Sequence, residues 1–160
     1  MNATAASRPS PVHFKLVVDT AAPHAQADFW AAALHYEVED HSALIAGLLD
    51  AGAVTEEAVV EHHGRRAWRD AAAVRHPEDP YDPRCGVGTA RRLLFNRVPE
   101  AAEKPGKNRL HIDLHGPDGQ REAEVERLTA LGARVQRHVA EPSGSWVIMT
   151  DPEGNEFCVH

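Results

Sequence analysis

An internal repeat constrains this 160-residue chain more than any single propensity does. Near the start, His13-Phe14-Lys15-Leu16-Val17-Val18-Asp19 alternates apolar and polar residues, and Asn108-Arg109-Leu110-His111-Ile112-Asp113-Leu114 does so again in the second half. Strand side chains point alternately to opposite faces, so Phe14, Leu16 and Val18 share one side, with His13 and Lys15 on the other. Likewise Leu110, Ile112 and Leu114 oppose Arg109, His111 and Asp113. A helical stretch follows each strand at a similar interval, reaching Leu34 in one half and Leu131 in the other. Two histidines therefore stand at matching places of a repeat.

The remaining elements fit that frame. Thr20 to Leu34 reads as a helix with Pro23 in its first turn and an apolar stripe of Phe29, Trp30, Ala33 and Leu34. His35 stands at its end, where a left-handed backbone is often needed. Tyr36 to Glu39, Trp68 to Val74 and Leu93 to Val98 read as strands. Ser42 to Gly64 reads as a helical hairpin, with Ser42 and Thr55 as caps and Gly52 as a stop; it is a lid, an interface or a decoration of the core. His76 to Gly88, with its prolines and glycines, is a long loop. Glu100 to Lys107 is a charged connector. In the second half, Gln120 to Leu131 is a helix, Ala133 to Arg137 a strand, and Trp146 to Thr150 pairs with Asn155 to Val159 around Asp151-Pro152-Glu153-Gly154. The expected fold is α+β, with two βαβββ modules forming a curved mixed sheet around a cavity. Residues 1–11 are expected to be a disordered tail, 12–100 the first module with a helical insertion at 42–64, and 101–160 the second module.

Composition narrows the partners. A net charge of -7 lacks the clustered cationic excess that binds phosphate, so neither nucleic acid nor an anionic membrane surface is expected. The chain begins without a signal-peptide pattern, and no apolar run reaches membrane-spanning length. Only two cysteines are present, which suits a cytoplasmic protein without a disulfide framework.

If helices cover one face of each sheet, the polar strand positions line the other. His13, His111 and Glu156 then converge as a two-histidine, one-carboxylate set able to hold zinc, nickel, manganese or ferrous iron. Lys15 and Asp113 are the candidates for moving a proton, and Asn96 and Cys158 line the same pocket. A polar strand face is also the ordinary wet side of a sheet, so the pattern leaves both readings open. Asp151 and Glu153 read as turn-forming residues, and Cys158 as a small buried side chain. His24, His35, His41, His62, His63, His76 and His138 read as solvated side chains in helices, turns and loops.

Several segments together resemble the vicinal oxygen chelate superfamily, the glyoxalase, bleomycin-resistance and extradiol dioxygenase group, and within it the glyoxalase-like proteins. They are Val17-Val18-Asp19 with Asp28-Phe29-Trp30, Leu94 through Glu100, Lys107 through Leu114, Leu131-Gly132-Ala133, and Asp151 through Phe157. The resemblance implies paired βαβββ modules, a cavity holding a divalent metal in catalytic members, and a homodimer. It also implies that His13 and His111 are the metal-binding histidines that open each module. The family's acidic ligands would fall at Cys158 and near Asn96, where this chain departs from the pattern, while Glu156 shares a strand face with Cys158. The function implied is a small-molecule enzyme of lyase, isomerase or dioxygenase type in which the metal chelates neighbouring substrate oxygens. The alternative is a metal-free protein that sequesters a small molecule in the same cavity.

Overall fold

The computed structural model describes residues 14–99 and 106–160. Its first half runs β1 (Leu16–Thr20), α1 (Pro23–Leu34), β2 (Glu37–Val38), α2 (Ser42–Asp50), β3 (Val59–His62), β4 (Arg65–Trp68), β5 (Ala71–Arg75) and β6 (Arg92–Arg97). The second runs β7 (Ile112–Leu114), α3 (Arg121–Ala130), β8 (Arg134–Glu141), β9 (Gly144–Thr150) and β10 (Glu156–Val159). Strand order is β1-β6-β5-β2 in one sheet and β7-β10-β9-β8 in the other. In each sheet the opening strand lies parallel to the closing strand and the other pairs are antiparallel. The repeat legible in the sequence is thus a repeat of topology, and the fold is α+β.

One hydrophobic core joins the two halves. Leu93 and Phe95 of β6, Val147 and Met149 of β9, and Phe157 and Val159 of β10 meet Trp30 of α1 and Leu128 of α3. These strand positions alternate, so Leu94, Asn96, Ile148, Glu156 and Cys158 fall on the faces away from the helices. The apolar alternation does not carry through the strand openings as the sequence suggests. Phe14 is 91% exposed and Leu110 82% exposed. β7 pairs with β10 only over Ile112–Leu114, so Leu110 has no ladder to fix its side chain inward.

Helix α1 has no side-chain cap at its start, no acid in its first turn and no base in its last. Both ends are instead served by the second half of the chain. At the start, Glu153 Oε1 accepts from Thr20 Oγ1 (2.7 Å) and from the amides of Ala21 (3.1 Å) and Ala22 (3.0 Å). At the other end, the Arg127 guanidinium donates to the carbonyls of Ala32 and Ala33, each at 2.8 Å. Negative charge at a helix N-terminus and positive charge at its C-terminus both oppose the helix dipole favourably. Midway, the Trp30 indole N–H donates to buried Asp151 at 3.2 Å and its ring meets Phe157 edge-on at 5.4 Å. Asp151 and Glu153 are turn residues, as expected, but they also hold the halves together. His35 ends α1 in the left-handed region, at φ 55°.

The insertion differs from the expected helical hairpin. Only Ser42–Asp50 is an α-helix; Glu56–Ala58 is a single 3-10 turn, and β3 and β4 form a two-stranded hairpin. The physical reason is local. β-branched Val59 and Val60 favour an extended chain, and His63-Gly64 adopts φ 50° and 71°, the pair of positive angles that a two-residue type I′ turn needs. Ser42 is the first helical residue rather than the cap, and its amide donates to Asp40 Oδ1 at 2.9 Å. α2 packs against β4, and Ile45 is fully buried.

If α1 depends on its borrowed caps, Glu153→Ala and Arg127→Ala should each lower unfolding free energy by about 1–3 kcal/mol, because each strands several hydrogen-bond partners. Urea denaturation measures this, and two losses below about 0.5 kcal/mol would show that α1 stands without them.

Candidate functional site

On the face of the second sheet away from the helices, β7 and β10 are in register so that Asp113 lies beside Cys158. His111 enters β7 just ahead of them, its Nε2 3.2 Å from Asp113 Oδ1. The ligand-type atoms of His111, Asp113 and Cys158 all lie within 4.8 Å of one another. Cys158 is 8% exposed, and burial, followed by the neighbouring Asp113 carboxylate, pushes its thiol up. Asp113 Oδ2 lies 3.7 Å from His160 Nε2, and the His160 ring stacks on His115 at 4.6 Å.

Two cavities run along the seam between β1 and β7, sharing Leu16, Leu93 and Ile112 as walls. The larger, about 790 Å³, is lined in part by Lys15, His35, Asp113 and His115. The smaller, about 330 Å³, is lined in part by Asp19, Trp30, His111 and Glu156. Volumes of this order suit a small molecule. Seven residues were expected at the site, and the structure distributes them unevenly. His111, Asp113 and Cys158 come together; Lys15 reaches the larger cavity; Glu156 shares the smaller cavity with His111 and accepts the Asn108 amide at 2.9 Å through Oε2. Asn96 sits in the first sheet, between Asp19 and Ala71. His13 lies outside the described residues.

The equivalent face of the first sheet is occupied by a buried polar network. Glu39 takes a bidentate bond from Arg92 (2.6 and 2.8 Å), the Gly88 amide (2.8 Å) and the approach of His41 (3.4 Å). Burial pushes the Glu39 carboxyl up, but the hydrogen bonds from His41 and Arg92 more than reverse this and hold it at about 2. His41 in turn is raised by Glu39 and reaches the Cys85 carbonyl at 2.6 Å. These contacts pin the proline-rich loop over the first sheet. At Gly86, φ is 75° and a Cβ would sit 2.0 Å from the Asp40 carbonyl oxygen, so the loop's approach depends on glycine there.

Sequence reasoning missed a second grouping of ligand-type side chains. His62 Nε2 and His63 Nε2 both donate to Asp28 Oδ1, at 3.0 and 2.9 Å, and the His24 ring lies 4.5 Å from that of His62. His24 and His62 are therefore partly buried rather than solvated, whereas His63 is exposed as expected and still bonds Asp28. The available signal was the spacing His24 to Asp28, four apart on one helix face, together with the adjacent pair His62-His63 before a glycine.

With this geometry in place, the sequence profile of the glyoxalase-like domain matches residues 15–160. The chain belongs to the glyoxalase-like domain family. Solved structures agree on the fold. A glyoxalase/bleomycin resistance protein/dioxygenase family enzyme from Burkholderia phytofirmans PsJN has a TM-score of 0.57 at 10% identity, covering 91% of this chain and 94% of its own. The fosfomycin resistance protein FosX from Mesorhizobium loti has a TM-score of 0.58 at 8% identity, covering 95% and 92%. Protein PA1353 from Pseudomonas aeruginosa has a TM-score of 0.52 at 14% identity, covering 94% and 97%. No curated protein is a significant sequence match. Among the described residues, no helix of this glyoxalase-like chain is long and apolar enough to cross a membrane.

The two thiols of the folded protein should differ. Cys85 is partly exposed, whereas Cys158 is buried with its thiolate disfavoured, so a disulfide reagent at neutral pH should label one thiol quickly and the other slowly. Two thiols of equal speed, or a slow phase that survives Cys158→Ser, would show that Cys158 is not shielded.

Proposed function

We propose that the protein is a small-molecule enzyme whose substrate lies along the β1–β7 seam, beside a divalent ion held by His111, Asp113 and Cys158. The observation that carries this reading is the meeting of an imidazole, a carboxylate and a thiol within 4.8 Å on one sheet face, next to both cavities. Nitrogen, oxygen and sulfur donors in one cluster fit a borderline ion, and the sulfur favours zinc over manganese among zinc, nickel, manganese and ferrous iron. His13, the repeat equivalent of His111, is proposed as a further ligand. A bound ion of this kind supplies Lewis acidity to two neighbouring oxygens of a substrate, the chemistry of lyase, isomerase and dioxygenase members of the superfamily.

The chain's own residues have separable tasks. Glu156, a ligand candidate from the sequence, holds the Asn108 amide and so steadies the segment that carries His111. Lys15 lines the larger cavity together with Asp113 and is assigned to moving a proton at the substrate. Asp113, between His111 and His160, links the ion-binding group to the second imidazole pair.

Tag-free protein tests the reading. Zinc at a hundredfold over its dissociation constant should stabilise the fold by about 2.7 kcal/mol, seen as a higher melting temperature. The part due to this site should vanish in His111→Ala and in Cys158→Ser, and should grow as pH rises through the imidazole range, because the ligands bind metal only when deprotonated. Cobalt should give a thiolate charge-transfer band that Cys158→Ser abolishes. Absence of that band, with identical metal-induced shifts in unmutated protein and His111→Ala, would leave the metal-free sequestering protein as the better account.

We also propose a homodimer. The apolar side chains of α2 do not supply its face, since none is among the large exposed ones; Phe14, Val17 and Leu110 at the open edges of the seam do. Sedimentation at roughly tens of micromolar, a concentration suited to transient association, should show a dimer that Leu110→Glu weakens. A monomer at that concentration would remove the proposal.

A further inference from the structure

We infer that Asp28, His62 and His63 form a second divalent-metal site, distinct from the sheet face, that clamps the β3–β4 hairpin onto α1. The three ligand-type atoms come from two elements that nothing covalent holds together locally. Asp28 stands on α1 and the two histidines at the tip of the hairpin, and all three atoms lie within 4.8 Å of one another.

The geometry is close to that of a bound ion. Both Nε2 atoms converge on one oxygen, Asp28 Oδ1, at 3.0 and 2.9 Å. Ligands about 2.0–2.1 Å from a tetrahedral ion stand roughly 3.3 Å apart, so the two nitrogen–oxygen separations need open by only a few tenths of an ångström for a metal to replace the imidazole protons. The two nitrogens lie within 4.8 Å of each other. The backbone is shaped to produce this convergence. Neighbouring residues of a strand point to opposite faces, but His63 leaves β3 at φ 50°, in the left-handed region that few non-glycine residues adopt and that histidine tolerates. Its ring thereby comes to 4.0 Å from that of His62.

The surroundings leave the set available. Arg65 and Arg66, the cations that follow the turn, pair with Asp40 and Glu56 rather than with Asp28. His24, one turn before Asp28, donates through Nε2 to the Trp68 carbonyl at 2.9 Å, which docks the far end of the hairpin on the same helix face. His24, His62 and His63 line a cavity of about 250 Å³, leaving room for water or a small ligand at the remaining coordination positions. Two imidazoles and one carboxylate suit zinc, nickel, cobalt or ferrous iron.

The experiment uses full-length, tag-free protein and zinc or cobalt in competition with a chromophoric chelator. A His111→Ala, Cys158→Ser background removes the sheet-face donors, so a failure there leaves this site measurable. In that background we expect one equivalent of metal, with affinity falling by at least about tenfold in His63→Asn and in Asp28→Asn. Asparagine tolerates positive φ, so His63→Asn keeps the turn while removing a ligand. Metal should also slow deuterium exchange of the amides of residues 59–68 by about tenfold, and His63→Asn should abolish that protection. Equal affinity in the background and in both ligand variants would overturn the site. Metal binding without protection of the hairpin would overturn the clamp.

Discussion

The arrangement of the two halves depends on a helix that cannot finish itself. α1 begins without a capping side chain and ends without a basic residue, and its orphan groups are met by Glu153 and Arg127 from more than ninety positions away. Between these ends, Trp30 is fixed by Asp151 and Phe157. The same contacts that complete the helix therefore dock the β9–β10 turn and α3 of the second half against the first. Because the docking brings β1 and β7 to opposite sides of one seam, the cavities exist only as a consequence of it.

The two sheets share a topology but have taken different chemistry on their outward faces. In the first, Glu39 and Arg92 form a buried, hydrogen-bonded ion pair, and Glu39 also fastens the proline-rich loop through the Gly88 amide. Buried pairs of this kind are costly to desolvate and add little net stability, but losing one partner strands the other. In the second, His111, Asp113 and Cys158 remain beside open space. A duplicated scaffold thus carries a hydrogen-bonded ion pair on one outward face and ligand-type donors beside the seam cavities on the other. The β3–β4 hairpin of the first half adds a third group of donors beside α1.

Much of the fold was legible because it rests on patterns that are local. Pro23 starts α1, His35 turns left-handed to end it, and Asp151 forms the turn between the last strands. Where local signals competed, the reading failed. Ser42, Gly52 and Thr55 suggested two helices, yet a positive-φ pair at His63-Gly64 turned the second into a hairpin. At the site, alternation marked the polar faces of Arg109 to Asp113 and of Glu156 and Cys158. Which acid would meet His111 depended on strand register, and register placed Asp113 beside Cys158 while Glu156 turned to the Asn108 amide.

The sequence by itself determined the repeat, the strand faces and the positions of the histidines, since these follow from periods of 2 and 3.6 residues and from turn chemistry. Its match to the glyoxalase-like domain extends over residues 15–160 and so takes in both halves. Tertiary structure alone decided the pairings between residues far apart in the chain. Nothing near Pro23 announces that Glu153 will meet the start of α1, and the spacing of His24 and Asp28 does not say which distant residues will join them. Hydrogen bonds and ligand sets of this kind need distances of about 3 Å, which local propensity does not encode; only the packing of one element on another sets them.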